Sequence, residues 1–148
     1  MAESIAPIDP LNSKEVISTP LFAGLQALLS SNVIHRAIRP DNLYYMDQAR
    51  TQLVLGDCVT TPPGYDQNAL FETIASGMTP PAGRGLGDFY KDMYSLGATI
   101  MFMICGRNPT STLDERSIIA SKISESSLKL LAGETNLNDG MLKMLRGL

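Results

Sequence analysis

The 148-residue chain has no tryptophan, one histidine (His35) and two cysteines, Cys58 and Cys105. One histidine cannot build a multi-histidine metal centre. The cysteines lie far apart in apolar surroundings with no CxxC pair, so a zinc site lacks ligands. Two isolated thiols fit a reduced, cytoplasmic protein. Basic residues are also in deficit, with 12 Lys and Arg against 15 Asp and Glu and a net charge of -3. Nucleic acid is therefore not expected as a partner, because binding it needs a basic face. No run reaches the roughly 18 uncharged apolar residues of a membrane span. The first residues carry Glu3 and Asp9 and no apolar stretch of signal-peptide length, so no targeting signal is expected. Internal repeats are absent, and with them the solenoid folds.

What is present is enough for one domain. The hydrophobic share is 44% and the length suffices to bury a real core. Eight methionines and no tryptophan point to an adaptable core. Residues 1–17, with prolines and serines and no periodicity, read as a flexible lead-in, and 18–148 as the folded unit.

The folded unit opens with a helix signal. Thr19 reads as the N-cap and Pro20 as the first helical residue, where a missing N–H costs nothing. Leu21, Phe22, Leu25, Leu28 and Leu29 repeat at helical spacing up to Ser30-Ser31-Asn32. Two extended runs, Leu43–Met46 and Gln52–Leu55, flank a polar connection and predict a β-hairpin that must pack on a helical body. Residues 56–87 are punctuated by Pro62-Pro63-Gly64, Pro80-Pro81 and Gly83-Arg84-Gly85. Only a short helix over Leu70–Ala75 stands out there, which marks the stretch as a functional loop. Asp88 then caps the strongest helix. Its Met93–Cys105 stretch is apolar nearly all round, so it is buried, with Gly106 as its stop. Thr112 and Glu115 fit a capping box for a helix over Leu113–Ile123. Shorter helical pieces are expected near Leu128–Ala132 and Asp139–Leu145. The fold class is mainly α with a small β-hairpin (α+β) around a buried central helix.

One polar run organises the rest. His35-Arg36-Ala37-Ile38-Arg39-Pro40-Asp41-Asn42 lies between Val33-Ile34 and Leu43–Met46. It matches the kinase catalytic loop H-R-D-L-x-x-x-N, except that Ala37 stands where the catalytic Asp belongs. Downstream, Leu55-Gly56-Asp57-Cys58-Val59 occupies the place of D-F-G, with Asp57 kept and Phe and Gly replaced. Thr79-Pro80-Pro81 stands for A-P-E without its Glu. Asp92-Met93-Tyr94-Ser95-Leu96-Gly97 matches D-x-W-S-x-G, and Gly106-Arg107-Asn108-Pro109 matches the turn after that helix. On these motifs, residues from about 20 to 148 resemble the C-terminal lobe of a eukaryotic-type protein kinase. No Gly-rich phosphate loop, β3 Lys or αC Glu matches upstream.

The resemblance implies roles. His35 and Arg36 would be structural, with Asp92 bonding back to their backbone. Arg39 would stand at the catalytic-Lys position and keep its charge. Asn42 and Asp57 would hold Mg²⁺ and, through it, ATP, or be relics that bond locally. Ala37 removes the general base, since a methyl group neither accepts a proton nor orients a hydroxyl. The implied function is a catalytically inactive, pseudokinase-like scaffold or regulatory interaction module. Its partner would be a protein, another domain of a longer chain or a second copy, and no cofactor is expected. The alternative is a fragment of a serine/threonine kinase-like enzyme that keeps Mg-ATP binding and residual phosphotransfer once joined to an N-lobe.

Overall fold

The computed structural model describes residues 17–57, 67–106, 108 and 110–125. Cys58 and the helical pieces expected near 128–132 and 139–145 lie outside these residues. Four helices and one hairpin are described: α1 (Thr19–Ser30), β1 (Leu43–Tyr45), β2 (Leu53–Leu55), α2 (Ile74–Gly77), α3 (Phe89–Cys105) and α4 (Glu115–Glu125). The fold is mainly helical with a small two-stranded antiparallel sheet. No described helix is long and apolar enough to cross a membrane.

Helix α1 starts one residue earlier than its capping signal suggests. Ser18 is the flanking residue, already helical at φ -67 and ψ -47, and its side chain makes no cap bond. The reason is packing. Ile17 is fully buried in the core, so the chain enters α1 through a helical turn and Thr19 becomes helical itself. At the other end Asn32 takes the left-handed conformation (φ 55). Val33 N–H donates to the Leu28 carbonyl and Asn32 N–H to that of Leu29, which closes the helix with a Schellman motif.

The hairpin pairs Leu43 with Leu55, Tyr44 with Val54 and Tyr45 with Leu53. Each strand is one residue shorter than its apolar run. The connection is built by Asp47, whose carboxylate accepts from the N–H groups of Thr51 and Gln52 and from the Thr51 hydroxyl. Alternation along the strands buries Leu53 and exposes Tyr44 and Val54. The sheet packs on α1, as a hairpin of this size requires.

Helix α2 is displaced from the expected Leu70–Ala75. It runs Ile74–Gly77, capped by Thr73, whose side chain accepts the Ser76 N–H at 3.2 Å. Residues 69–72 form turns instead, because side chains from α3 and α4 take their carbonyl groups (below). Helix α3 has the predicted ends. Asp88 accepts the Lys91 N–H at 2.9 Å, and Gly106 sits at φ 63, where a side chain would be strained. Helix α4 begins two residues later than the Thr112 signal. Leu113 N–H bonds back to the Thr110 carbonyl and keeps Thr112 in a turn. Asp114 is the cap, accepting the Ser117 N–H at 2.8 Å.

The main core joins Ile17, Leu21 and Leu25 of the α1 region to Ile38, Leu53 and the α3 side chains Leu96, Ile100 and Met103. A second cluster sets Leu70 and Phe71 against Ala98 and Met101 on another face of α3. Helix α3 thus buries residues toward both clusters, which is why its sequence lacks a polar face. Each fully buried aliphatic side chain contributes about 1.5–3 kcal/mol.

Candidate functional site

The His35–Asn42 run crosses the middle of the molecule as a loop followed by a 3₁₀ turn, Pro40–Asn42. Asp92, in the first turn of α3, fixes its start. The carboxylate accepts His35 N–H at 2.6 Å and Arg36 N–H at 2.8 Å, with Asp92 only 1% exposed. Burial raises the Asp92 pKa, and the two amide bonds and Arg36 act against that rise. Arg36 has φ 64, a strained value for a non-glycine residue that persists only where its surroundings determine it. Gly87 makes room for it, since a Cβ there would lie 3.1 Å from Arg36 Cγ and Cδ.

His35 is fully buried. Its Nδ1 accepts the Ala37 N–H at 3.2 Å, which places the proton of the neutral ring on Nε2. Burial lowers the His35 pKa, and the Gly56 carbonyl pulls it back up. A buried neutral imidazole with its free lone pair engaged is built into the loop rather than offered as a base.

Ala37 is 3% exposed, and both its backbone groups are engaged. Its N–H goes to His35, and its carbonyl accepts Asn42 Nδ2 at 2.9 Å. The next carbonyl, of Ile38, accepts the Thr99 hydroxyl from α3 at 3.3 Å. Asn42 spends its other N–H on the Asp57 carbonyl at 2.9 Å, and its own carbonyl accepts Gly56 N–H at 2.8 Å. One amide therefore ties the loop to the end of β2. The fit needs Gly56, because a Cβ there would fall 2.2 Å from Asn42 Oδ1 and 2.6 Å from the Tyr44 ring. Arg39 pairs with Asp41 at 2.9 Å.

Of the sequence-predicted site residues, the fold brings His35, Arg36 and Asp92 into one bonded group, and Ala37, Asn42 and Asp57 into another. Asn42 meets Asp57 through the backbone carbonyl, while the residue itself is exposed. Two side chains, Asn42 through Oδ1 and Asp57 through its carboxylate, would be the hard-oxygen donors this corner could offer Mg²⁺. Among the described residues no group of three or more His, Cys, Asp or Glu side chains could hold a metal ion. Behind the loop, a cavity of about 260 Å³ lies between α1 and β2, with Pro20, Gly24, Leu28, His35 and Leu53 in its lining.

A second polar constellation has no counterpart in the sequence reading. Lys122, in α4, is 2% exposed. Its ammonium donates to the carbonyls of Ala69, Leu70 (3.0 Å) and Glu72 (2.7 Å), and lies 4.7 Å from the centre of the Tyr94 ring. The carbonyl in between, of Phe71, accepts the Ser95 hydroxyl at 2.7 Å. The signal that could have found Lys122 is its position four residues after Ile118, on the same helix face as that buried side chain.

No protein-family model matches the chain. In an alignment of 143 residues, covering 86% of the chain, it is 27% identical to serine/threonine-protein kinase D of Synechocystis sp.. The aligned stretch is 28% of that protein, so the chain spans under a third of its relative's length. The likeness supports a kinase-like relationship.

Proposed function

We propose that this chain is a catalytically inactive, pseudokinase-like C-lobe that serves as a scaffold or regulatory protein-interaction module. The observation that carries the reading is Ala37, buried with both backbone groups bonded, at the position that the kinase resemblance gives to the catalytic base. Phosphoryl transfer depends on positioning the hydroxyl nucleophile and neutralising charge on the phosphates. A methyl group does neither. Arg39, at the catalytic-Lys position, is engaged by Asp41. Asn42 gives both amide protons to backbone carbonyls, a local structural use. The bonds that hold the loop are kept, while the group that would take the proton is gone. A protein partner, another domain or a second copy would meet exposed apolar side chains such as Tyr44, Met46 and Val54 on the outer side of the hairpin.

The alternative, residual Mg-ATP binding when the chain is joined to an N-lobe, draws on the closeness of Asn42 and Asp57. Thermal-shift titration with ATP and Mg²⁺, on the chain joined to an N-lobe, separates the two. Binding at 100 times Kd would stabilise the protein by about 2.7 kcal/mol, whereas the inactive reading expects no shift at millimolar nucleotide. Phosphate transfer from labelled ATP that disappears in Asp57→Ala would overturn the proposal.

A further inference from the structure

The contact between α4 and residues 67–72 is made differently from the rest of the interior. Helix α4 has little apolar pattern, and Ile118 is its one fully buried aliphatic side chain. Ile119 touches the adjoining chain at Gly77, where a Cβ would stand 3.3 Å from its Cδ1. The remaining attachment is Lys122. Its three N–H groups meet three carbonyls of one short segment, and Tyr94 of α3 presents its ring to the same ammonium. Residues 69–72 make one turn bond among themselves, from Glu72 N–H to the Ala69 carbonyl, and pack Leu70 and Phe71 on α3 beside Ala98 and Met101. Helix α4 brings only Ile118 and Ile119 to the contact besides Lys122.

We propose that Lys122 is an internal latch: its buried ammonium joins α4 and the 67–72 segment into one unit, so that the two open and close together. The inference does not depend on the kinase-like reading. The groups facing the latch are Glu72 on the segment, Arg84, which pairs with Glu72 at 3.8 Å, and Tyr94 on α3. Lys91, also on α3, spends its ammonium on the Arg84 carbonyl and so braces the same corner. Opening would return Lys122 to water, leave the segment's carbonyls to water, free Ile118 and lift Leu70 and Phe71 from Ala98 and Met101. Helix α3 and the α1–hairpin body would stay closed.

Native-state hydrogen exchange on the full chain tests this. Lys122→Met keeps the bulk of the side chain and removes the donors. Amide exchange in residues 69–77 and in α4 should accelerate together by about tenfold or more, since each bond to a charged donor is worth that much, with α3 unchanged. Ser95→Ala, which removes the segment's bond to α3 at the Phe71 carbonyl and a bond to the Lys91 carbonyl, should also accelerate both elements, by less. Acceleration in only one of the two elements, no acceleration, or an equal acceleration throughout the chain would overturn the latch. If Lys122→Met does not fold, the unmodified protein supplies a second reading. In low denaturant, the amides of residues 69–77 and of α4 should exchange through one opening, with a shared free energy below that of α3. Separate opening free energies for the two elements, or one equal to that of α3, would also overturn the proposal.

Discussion

Two loops in this molecule are held by single buried ionic side chains, and they are held by opposite ends of the peptide group. At His35-Arg36 the holder is a carboxylate, Asp92, and it takes N–H groups. At residues 69–72 the holder is an ammonium, Lys122, and it takes carbonyls. The difference follows from inventory: a carboxylate can only accept and an ammonium can only donate. The consequence for stability is unequal. Asp92 sits in the first turn of α3, the most deeply packed helix, and clamps a loop that already runs through the main core. Lys122 sits on a largely polar helix and is itself much of the attachment. The first staple secures a loop within a rigid body. The second attaches a largely polar helix to a segment that is itself packed on α3.

The largest expected effect lies on the Asp92 side. Asp92→Ala leaves two buried amides without an acceptor and opens a small void, so chemical denaturation should show a loss of about 3–5 kcal/mol. A loss under about 1 kcal/mol would mean that water replaces the carboxylate and that the loop is not secured as described. Lys122→Met should cost less, about 1–3 kcal/mol, because the penalty of burying a charge disappears along with the bonds. If the order of the two variants were reversed, the contrast between them would fail.

Gly56→Ala comes next. Its Cβ would overlap Asn42 Oδ1, so the amide must move and release the Ala37 or Asp57 carbonyl. A cost of about 1–3 kcal/mol is expected, with shifted amide resonances at both carbonyls' residues. The pH response tells the two regions apart. Lys122 has a lowered pKa in the folded state, so its contribution to stability grows as pH rises from about 8 toward 10.5, and Lys122→Met should flatten that rise. His35 also has a lowered pKa, so its contribution is full above 6.5 and falls as the solution is acidified below it. As the chain has one histidine, its ring proton resonances report this directly. A ring titrating at or above 6.5 would contradict the buried neutral form. The smallest change is Asp88→Ala, where loss of one exposed cap should lower stability by about 1 kcal/mol without touching either loop.

Part of this was legible in the residues. The ends of α3 could be read because their chemistry is local: Asp88 satisfies an amide three residues on, and Gly106 takes a backbone angle that other residues resist. The hairpin was legible from its apolar runs, and its strands are one residue shorter at the turn end, although Met46 N–H still donates to the Gln52 carbonyl before the turn built by Asp47. The start of α4 was misplaced for a similar reason. Thr112 is a good cap by type, but a turn from Thr110 passes the role to Asp114. The displacement of α2 has a different origin. Residues 70–73 have adequate helical character, yet long-range donors from Ser95 and Lys122 claim the carbonyls a helix there would use. No local pattern carries that information.

The sequence by itself determined the helical character of the chain, the buried central helix and the identity of the residue at position 37, because periodicity, caps and side-chain type are properties of short stretches. Only the tertiary structure decided which buried polar groups meet. That Asn42 ties Ala37 to Asp57, and that a lysine on a polar helix points inward to three carbonyls, are outcomes of chain segments about 15 to 53 residues apart being brought together. A buried donor or acceptor must find a partner wherever the fold supplies one, and that partner is set by packing rather than by sequence distance.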